Sequence, residues 1–175
     1  HGNKNLGMKI GAGLNIFSYD KSADTIFEYL NLPSGYIHEV DYGRWWFTNI
    51  YIGPIYQIRT SDLVFDISLL TGISFSRRPS IEHRFYKTPQ DSSPAIYKVF
   101  EGEGTSLLFK PELAVYFPVS NKANMKISAS YTYSNPTIRY QVRYFNNYWT
   151  SKKTDKEINM KLSWLEFGFA LMFNK

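Results

Sequence analysis

Residues 63–76 read LVFDISLLTGISFS. Leu63, Phe65, Ile67, Leu69, Ile73 and Phe75 alternate with Asp66, Ser68, Gly72, Ser74 and Ser76, leaving Val64 and Leu70 as exceptions. Successive side chains of a strand point to opposite faces, so this pattern predicts a long strand with one apolar and one small, polar face. It is the cleanest strand signal in the chain.

The same period extends in both directions. Upstream, Met8, Ile10, Ala12, Leu14 and Ile16 alternate with Lys9, Gly11, Gly13 and Asn15, and Ile50, Ile52, Pro54, Tyr56 and Ile58 alternate more weakly before Thr60-Ser61-Asp62. Downstream, Leu107, Phe109, Leu113, Val115 and Phe117 form one set and Met125, Ile127, Ala129, Tyr131 and Tyr133 another. The last stretch carries Ile158, Met160, Leu162 and Trp164, then Leu165, Phe167, Phe169, Leu171 and Phe173 on the opposite parity, and a bulge near Trp164 is expected to reconcile the halves. Six long strands result, with no competing helix beyond a short candidate at residues 22–32.

Connections at 60–62 and 118–124 are short, while 18–44, 77–105 and 135–157 are long and polar. An up-and-down antiparallel sheet is expected, with the long loops at one end and both termini at the other.

Composition narrows the function. The chain has 175 residues, 18% of them aromatic, with 20 Lys+Arg against 15 Asp+Glu, three His and no Cys. That is one domain, 1–175, without disulfides, thiol nucleophiles or Cys-ligated metals, and no cofactor is indicated. No stretch reaches the roughly 20 apolar residues of a membrane helix, whereas a membrane strand needs only about 9 to 11 alternating ones. A first residue His1 fits either a removed signal or a trimmed start.

Soluble and membrane barrels alternate with opposite sense, so other features decide. The polar face carries Gly, Ser, Thr and Asn with charges of both signs (Lys9, Asp66, Lys110, Glu112, Lys126, Glu166), which suits a narrow, filled lumen whose charges neutralise one another. Trp45, Trp46, Tyr131, Tyr133 and Trp164 near the long loops, and Tyr56 near the turns, read as interface aromatics bounding an apolar band. Phe65, Ile67, Leu69, Leu113, Val115, Phe167, Phe169 and Leu171 are then lipid-facing. A soluble calycin-like ligand-binding barrel with the apolar face inside is the alternative fold.

The segments LGMKIGAGLNIF, SLLFKPELAVYF and MKISASYTYS, with the closing LEFGFALMFNK, resemble small bacterial outer-membrane β-barrel proteins of the OmpX/OmpA type. The resemblance covers the chain as a pattern and implies a transmembrane up-and-down barrel in the outer membrane of a Gram-negative cell. It also implies that Phe173, in the closing strand, is read by the barrel-assembly machinery; here Asn174 and Lys175 follow it. The family's smallest barrels have eight strands, so the resemblance implies a further strand pair, before residue 1, within a loop or supplied otherwise, with the N-terminal hairpin favoured.

Candidate chemistry is sparse. His38 beside Glu39 and Asp41, with Ser34 upstream, is the best set for an outer-membrane lipid- or peptide-modifying enzyme, but neighbours on an extended segment diverge and no nucleophile elbow is present. His83 has less around it. The long loops are rich in base and ring: Arg77, Arg78 and Arg84, then Arg139, Arg143, Tyr144, Tyr148 and Trp149. Such residues suit lipopolysaccharide phosphates, outer-membrane lipid or protein subunits of an envelope complex rather than nucleic acid. The expected function is non-enzymatic: a structural or accessory barrel.

Overall fold

The computed structural model describes residues 5–18, 37–60, 63–87, 95–120, 123–145 and 152–173. These form one antiparallel sheet of eleven segments: β1 (Leu6–Ser18), β2 (Ile37–Tyr42), β3 (Arg44–Arg59), β4 (Val64–Arg78), β5 (Ile81–Tyr86), β6 (Ala95–Val99), β7 (Gly102–Ser120), β8 (Ala123–Ser134), β9 (Thr137–Phe145), β10 (Thr154–Asn159) and β11 (Leu162–Phe173). The helix candidate at 22–32 lies outside the described residues.

The segments join into six through-going strands, because β2–β3, β4–β5, β6–β7, β8–β9 and β10–β11 are each separated by one or two residues. The lower tier pairs in the order β1-β3-β4-β7-β8-β11, the upper tier in the order β2-β5-β6-β9-β10. Much of the length expected as loop at 77–105 and 135–157 is therefore sheet. Among the described residues β1 pairs only with β3 and β11 only with β8, so the sheet is not closed.

In the lower tier the alternation is inside out. Met8, Leu107 and Phe167 are 70%, 81% and 81% exposed, whereas Ser74, Asp66, Lys110 and Glu112 are buried. The buried polar face is concave, since Lys9 on β1 reaches Glu112 on β7 across two intervening strands. Gly72 serves this close curvature: a Cβ there would lie 1.9 Å from the Ile50 carbonyl oxygen.

In the upper tier the sense reverses. Tyr42, Ile81, Val99 and Val142 form one cross-strand row, and Ile81, Val99 and Val142 are the buried core against which Val40, Tyr97 and Tyr140 pack. Two devices accomplish the reversal. In β2–β3, β4–β5 and β6–β7 the buried parity switches at Gly43, Pro79–Ser80 and Phe100–Glu101, so a continuous apolar alternation moves from the convex to the concave face. The third switch includes a one-residue bulge: four steps from Val99 to Glu103 meet three from Val142 to Arg139.

β8–β9 and β10–β11 keep their backbone phase, and their sequences change parity instead. Ile127, Tyr131 and Tyr133 are convex and exposed, while Ile138 and Val142 are concave and buried. The bulge expected near Trp164 is absent, for β11 pairs with β8 without a shift from Leu162–Ser134 to Phe173–Ala123. Leu162 and Trp164 belong to the apolar concave side of the upper boundary and Leu165 to the apolar convex side below it.

Candidate functional site

The concave face of the lower tier holds a paired charge network. Glu112 accepts from Lys9 Nζ at 2.6 Å and from Lys126 Nζ at 3.2 Å. Glu166 accepts from Lys110, from Trp164 Nε1 at 2.6 Å and from Thr132 Oγ1 at 3.2 Å. Tyr51 packs over Gly11, whose missing Cβ leaves room for the ring, and Lys110 lies 5.1 Å from the Tyr51 centroid. Both carboxylates of this network meet a cation, so its charges neutralise one another. Asp66 is buried and accepts from the Tyr116 hydroxyl, whose ring lies 5.6 Å from Lys126 Nζ.

Trp164 turns to the concave side, away from the convex face that carries Trp46, Tyr131 and Tyr133. Its indole donates to Glu166, and its ring meets Phe17 at 5.8 Å and Phe47 at 6.1 Å. Trp45 also points inward, stacked on Phe47 at 6.0 Å. These four rings cluster on the concave side and bring side chains of β1 and β11 together. Trp46, Tyr56, Tyr131 and Tyr133 are exposed on the convex face. Ile67, Leu69, Leu113, Phe167, Phe169 and Leu171 are exposed there too, with Phe65 and Val115 half-buried as cross-strand partners. The side chain of Phe173 lies outside the described residues.

The basic and aromatic candidates fall in three places. Arg78, expected in an exposed loop, is instead buried on the concave side with its guanidinium 4.3 Å from the Tyr140 centroid, because it continues the buried phase of Ser74 and Ser76 along β4. Arg84 lies on the convex face of the upper tier, where Glu82 accepts from Arg84 Nε at 2.8 Å and from Lys98 Nζ at 3.0 Å. Partial burial works to raise the Glu82 carboxyl, but the hydrogen bonds from Lys98 and Arg84 outweigh it and hold the group below the ordinary carboxylate range. On the same face Tyr86 donates to Glu39 Oε2 at 3.1 Å, and burial, then that bond, push its hydroxyl up. Arg143 sits 5.2 Å from the Phe145 centroid and Tyr144 is half-buried opposite Tyr97. Tyr148 and Trp149 lie outside the described residues.

The third place is a convex cleft of about 730 Å³ where the tiers meet, and it brings Arg77, Arg139 and Trp46 together. Trp46, Arg77, Glu103, Arg139 and Glu157 occupy successive strands as one cross-strand row. Arg77 pairs with Glu101, and Arg139 Nε donates to Glu157 Oε2 at 3.3 Å. Beneath this row come Thr48, Phe75 and Thr105, and beneath them Ile50, Ile73 and Leu107. Sequence reading missed Glu103 and the threonines, because the facing of Glu103 and Arg139 depends on the bulge at Phe100–Gly102.

Of the hydrolase candidates around His38, the side chains of Glu39 and Asp41 are described and stand exposed on β2. His83 is buried at 1% exposure, between the Phe85 and Tyr97 rings at 6.4 and 5.9 Å. Ser34 and the His38 side chain lie outside the described residues. Among the described residues no group of three His, Asp or Glu is placed to hold a metal. No protein-family model matches the chain, and no curated protein matches it.

Proposed function

We propose that this chain is an integral outer-membrane β-barrel protein, similar in kind to the OmpX/OmpA type, with a structural or accessory role. One observation carries the reading: the apolar face of the lower tier is exposed on the convex side while its charged face is buried. In water that arrangement leaves a large apolar surface uncovered, whereas in a bilayer it is the favoured one. The soluble ligand-binding alternative requires the opposite sense.

Strand edges with unpaired backbone groups do not persist in hydrocarbon. β1 and β11 run antiparallel as the ends of a six-strand meander, so an even number of strands closes the seam. Two further strands make eight, the number whose interior is just wide enough to be filled by side chains such as these lumen lysines and glutamates. The upper tier then stands above the membrane, and its basic, aromatic convex surface contacts envelope lipid, lipopolysaccharide or the subunits of a larger complex. Biogenesis through the barrel-assembly machinery follows from the same reading, with Phe173 in the recognised closing strand.

The test is extraction. Expressed with a secretion signal, the chain is expected in the outer-membrane fraction, released only by detergent, with a β-rich spectrum and migration on a gel that changes with heating. A monodisperse protein in detergent-free buffer would overturn the reading.

A further inference from the structure

The convex cleft has a charge order that selects a ligand. Arg77, Glu103, Arg139 and Glu157 stand side by side on β4, β7, β9 and β10, giving plus, minus, plus, minus along one row, with Glu103 flanked by both arginines. Neighbouring strands lie about 4.8 Å apart, so the two arginines are anchored roughly 10 Å from each other with the carboxylate between them. Each arginine has its ion-pair partner above or beside the cleft, Glu101 for Arg77 and Glu157 for Arg139. A guanidinium has five donors, and these contacts use only part of each fork. Among the described residues Glu103 has no hydrogen-bond or ion-pair partner.

Depth is graded as well. The ion row lies above a hydroxyl-bearing row with Thr48 and Thr105, and below that come exposed Ile73 and Leu107. Trp46, exposed at the end of the ion row, is a residue type favoured at the headgroup level. The cleft is therefore continuous with the apolar band, and its volume of about 730 Å³ falls within the range of small-molecule sites.

We propose that this cleft binds a phospholipid whose headgroup joins a phosphate to a primary ammonium, a phosphoethanolamine-type lipid. The phosphate meets the free donors of Arg77 and Arg139, the ammonium donates to Glu103, the glycerol region lies at the threonines and the acyl chains run over Ile73 and Leu107. A purely anionic headgroup would leave Glu103 facing a second negative charge. A quaternary ammonium would fit the charge order but offers no N–H to the carboxylate.

This inference rests on the membrane-spanning reading. The test uses the full chain purified in mild detergent and offered an equimolar mixture of phosphatidylethanolamine, phosphatidylcholine and phosphatidylglycerol with identical acyl chains, retained lipid being read by native mass spectrometry. The ethanolamine lipid is expected to be retained several-fold over the other two. Glu103→Gln should reduce it to the level of the choline lipid, and Arg77→Ala with Arg139→Ala should lower retention of all three. Equal retention, or preference for the glycerol lipid, by protein whose heat-shifted migration shows it folded would overturn the lipid assignment alone. A chain that needs no detergent would overturn both readings.

Discussion

Lys9 Nζ on β1 lies 2.6 Å from Glu112 Oε1 on β7, although β3 and β4 separate the two strands in the sheet. The contact spans a chord of the curled sheet, and Lys126 reaches the same oxygen from β8 at 3.2 Å. Curvature and charge neutralisation are thus one feature of the lower tier, whose concave side also buries Phe47, Leu70 and Leu108.

Removing the shared carboxylate should be costly. Glu112→Ala leaves two lysines facing a narrow interior without their partner, and breaking a buried pair costs about 3–5 kcal/mol; partial exposure of Lys9 and Lys126 places this case toward the lower end. The midpoint of the heat-induced gel shift should fall clearly. The triple change Lys9→Met, Glu112→Leu and Lys126→Met, which leaves no charge unpaired, should recover most of the loss.

The convex face makes an opposite demand. Leu69→Arg puts a cation in the middle of the exposed apolar band of β4 and should destabilise the inserted state by about 2–4 kcal/mol. Refolding titrations into vesicles measure this directly, and a substitution that left insertion unchanged would count against lipid contact at that face.

Gly72 should tolerate no side chain. Even Gly72→Ala forces a Cβ against the Ile50 carbonyl and the Tyr51 Cα, both backbone atoms that cannot rotate away. Loss of the β-rich spectrum is expected, while Gly13→Ala, whose Cβ meets nothing within 4 Å, should fold normally.

The upper tier should loosen in acid. Glu82 is depressed in the folded state, so its pairing with Lys98 and Arg84 contributes stability that is complete above the unfolded carboxyl pKa of about 4.5 and is lost as pH falls through the lower folded value. Hydrogen exchange of β5 and β6 amides should accelerate below pH 4.5 relative to β9, and Glu82→Gln should be destabilised at neutral pH and lose most of that extra acid sensitivity.

Period-two alternation was legible from residues alone, and with it the strand character of β1, β3, β4, β7, β8 and β11. Side-chain alternation is a local property of extended backbone, so Phe65 to Ser76 needs no tertiary context to be read as a strand. The resemblance to outer-membrane barrels rests on the same local pattern. Which face each residue occupies is not local. The segment 77–105 looked like a loop because its polar residues obscure the apolar set Ile81, Phe85 and Val99, whereas the alternation Ile138, Tyr140, Val142, Tyr144 already suggested a hairpin extension; only cross-strand pairing gathers Ile81, Val99 and Val142 into one core.

Trp164 illustrates the division. Its sequence neighbours place it in an aromatic-rich closing strand, but a parity change within one strand has two explanations, a bulge or a change in what the sheet covers. Only the unbroken register against β8 and the hydrogen bond to Glu166 separate them. Arg77 and Arg139 are likewise 62 residues apart and share a cleft with Glu103 because a single extra residue at Phe100–Gly102 shifts the pairing. The sequence by itself determined alternation and the absence of thiol chemistry, since these are properties of composition and neighbouring residues. Tertiary structure alone decided the curl, the reversal between tiers and the meeting of charges, since these depend on register, and one residue of slip turns every following side chain to the other face.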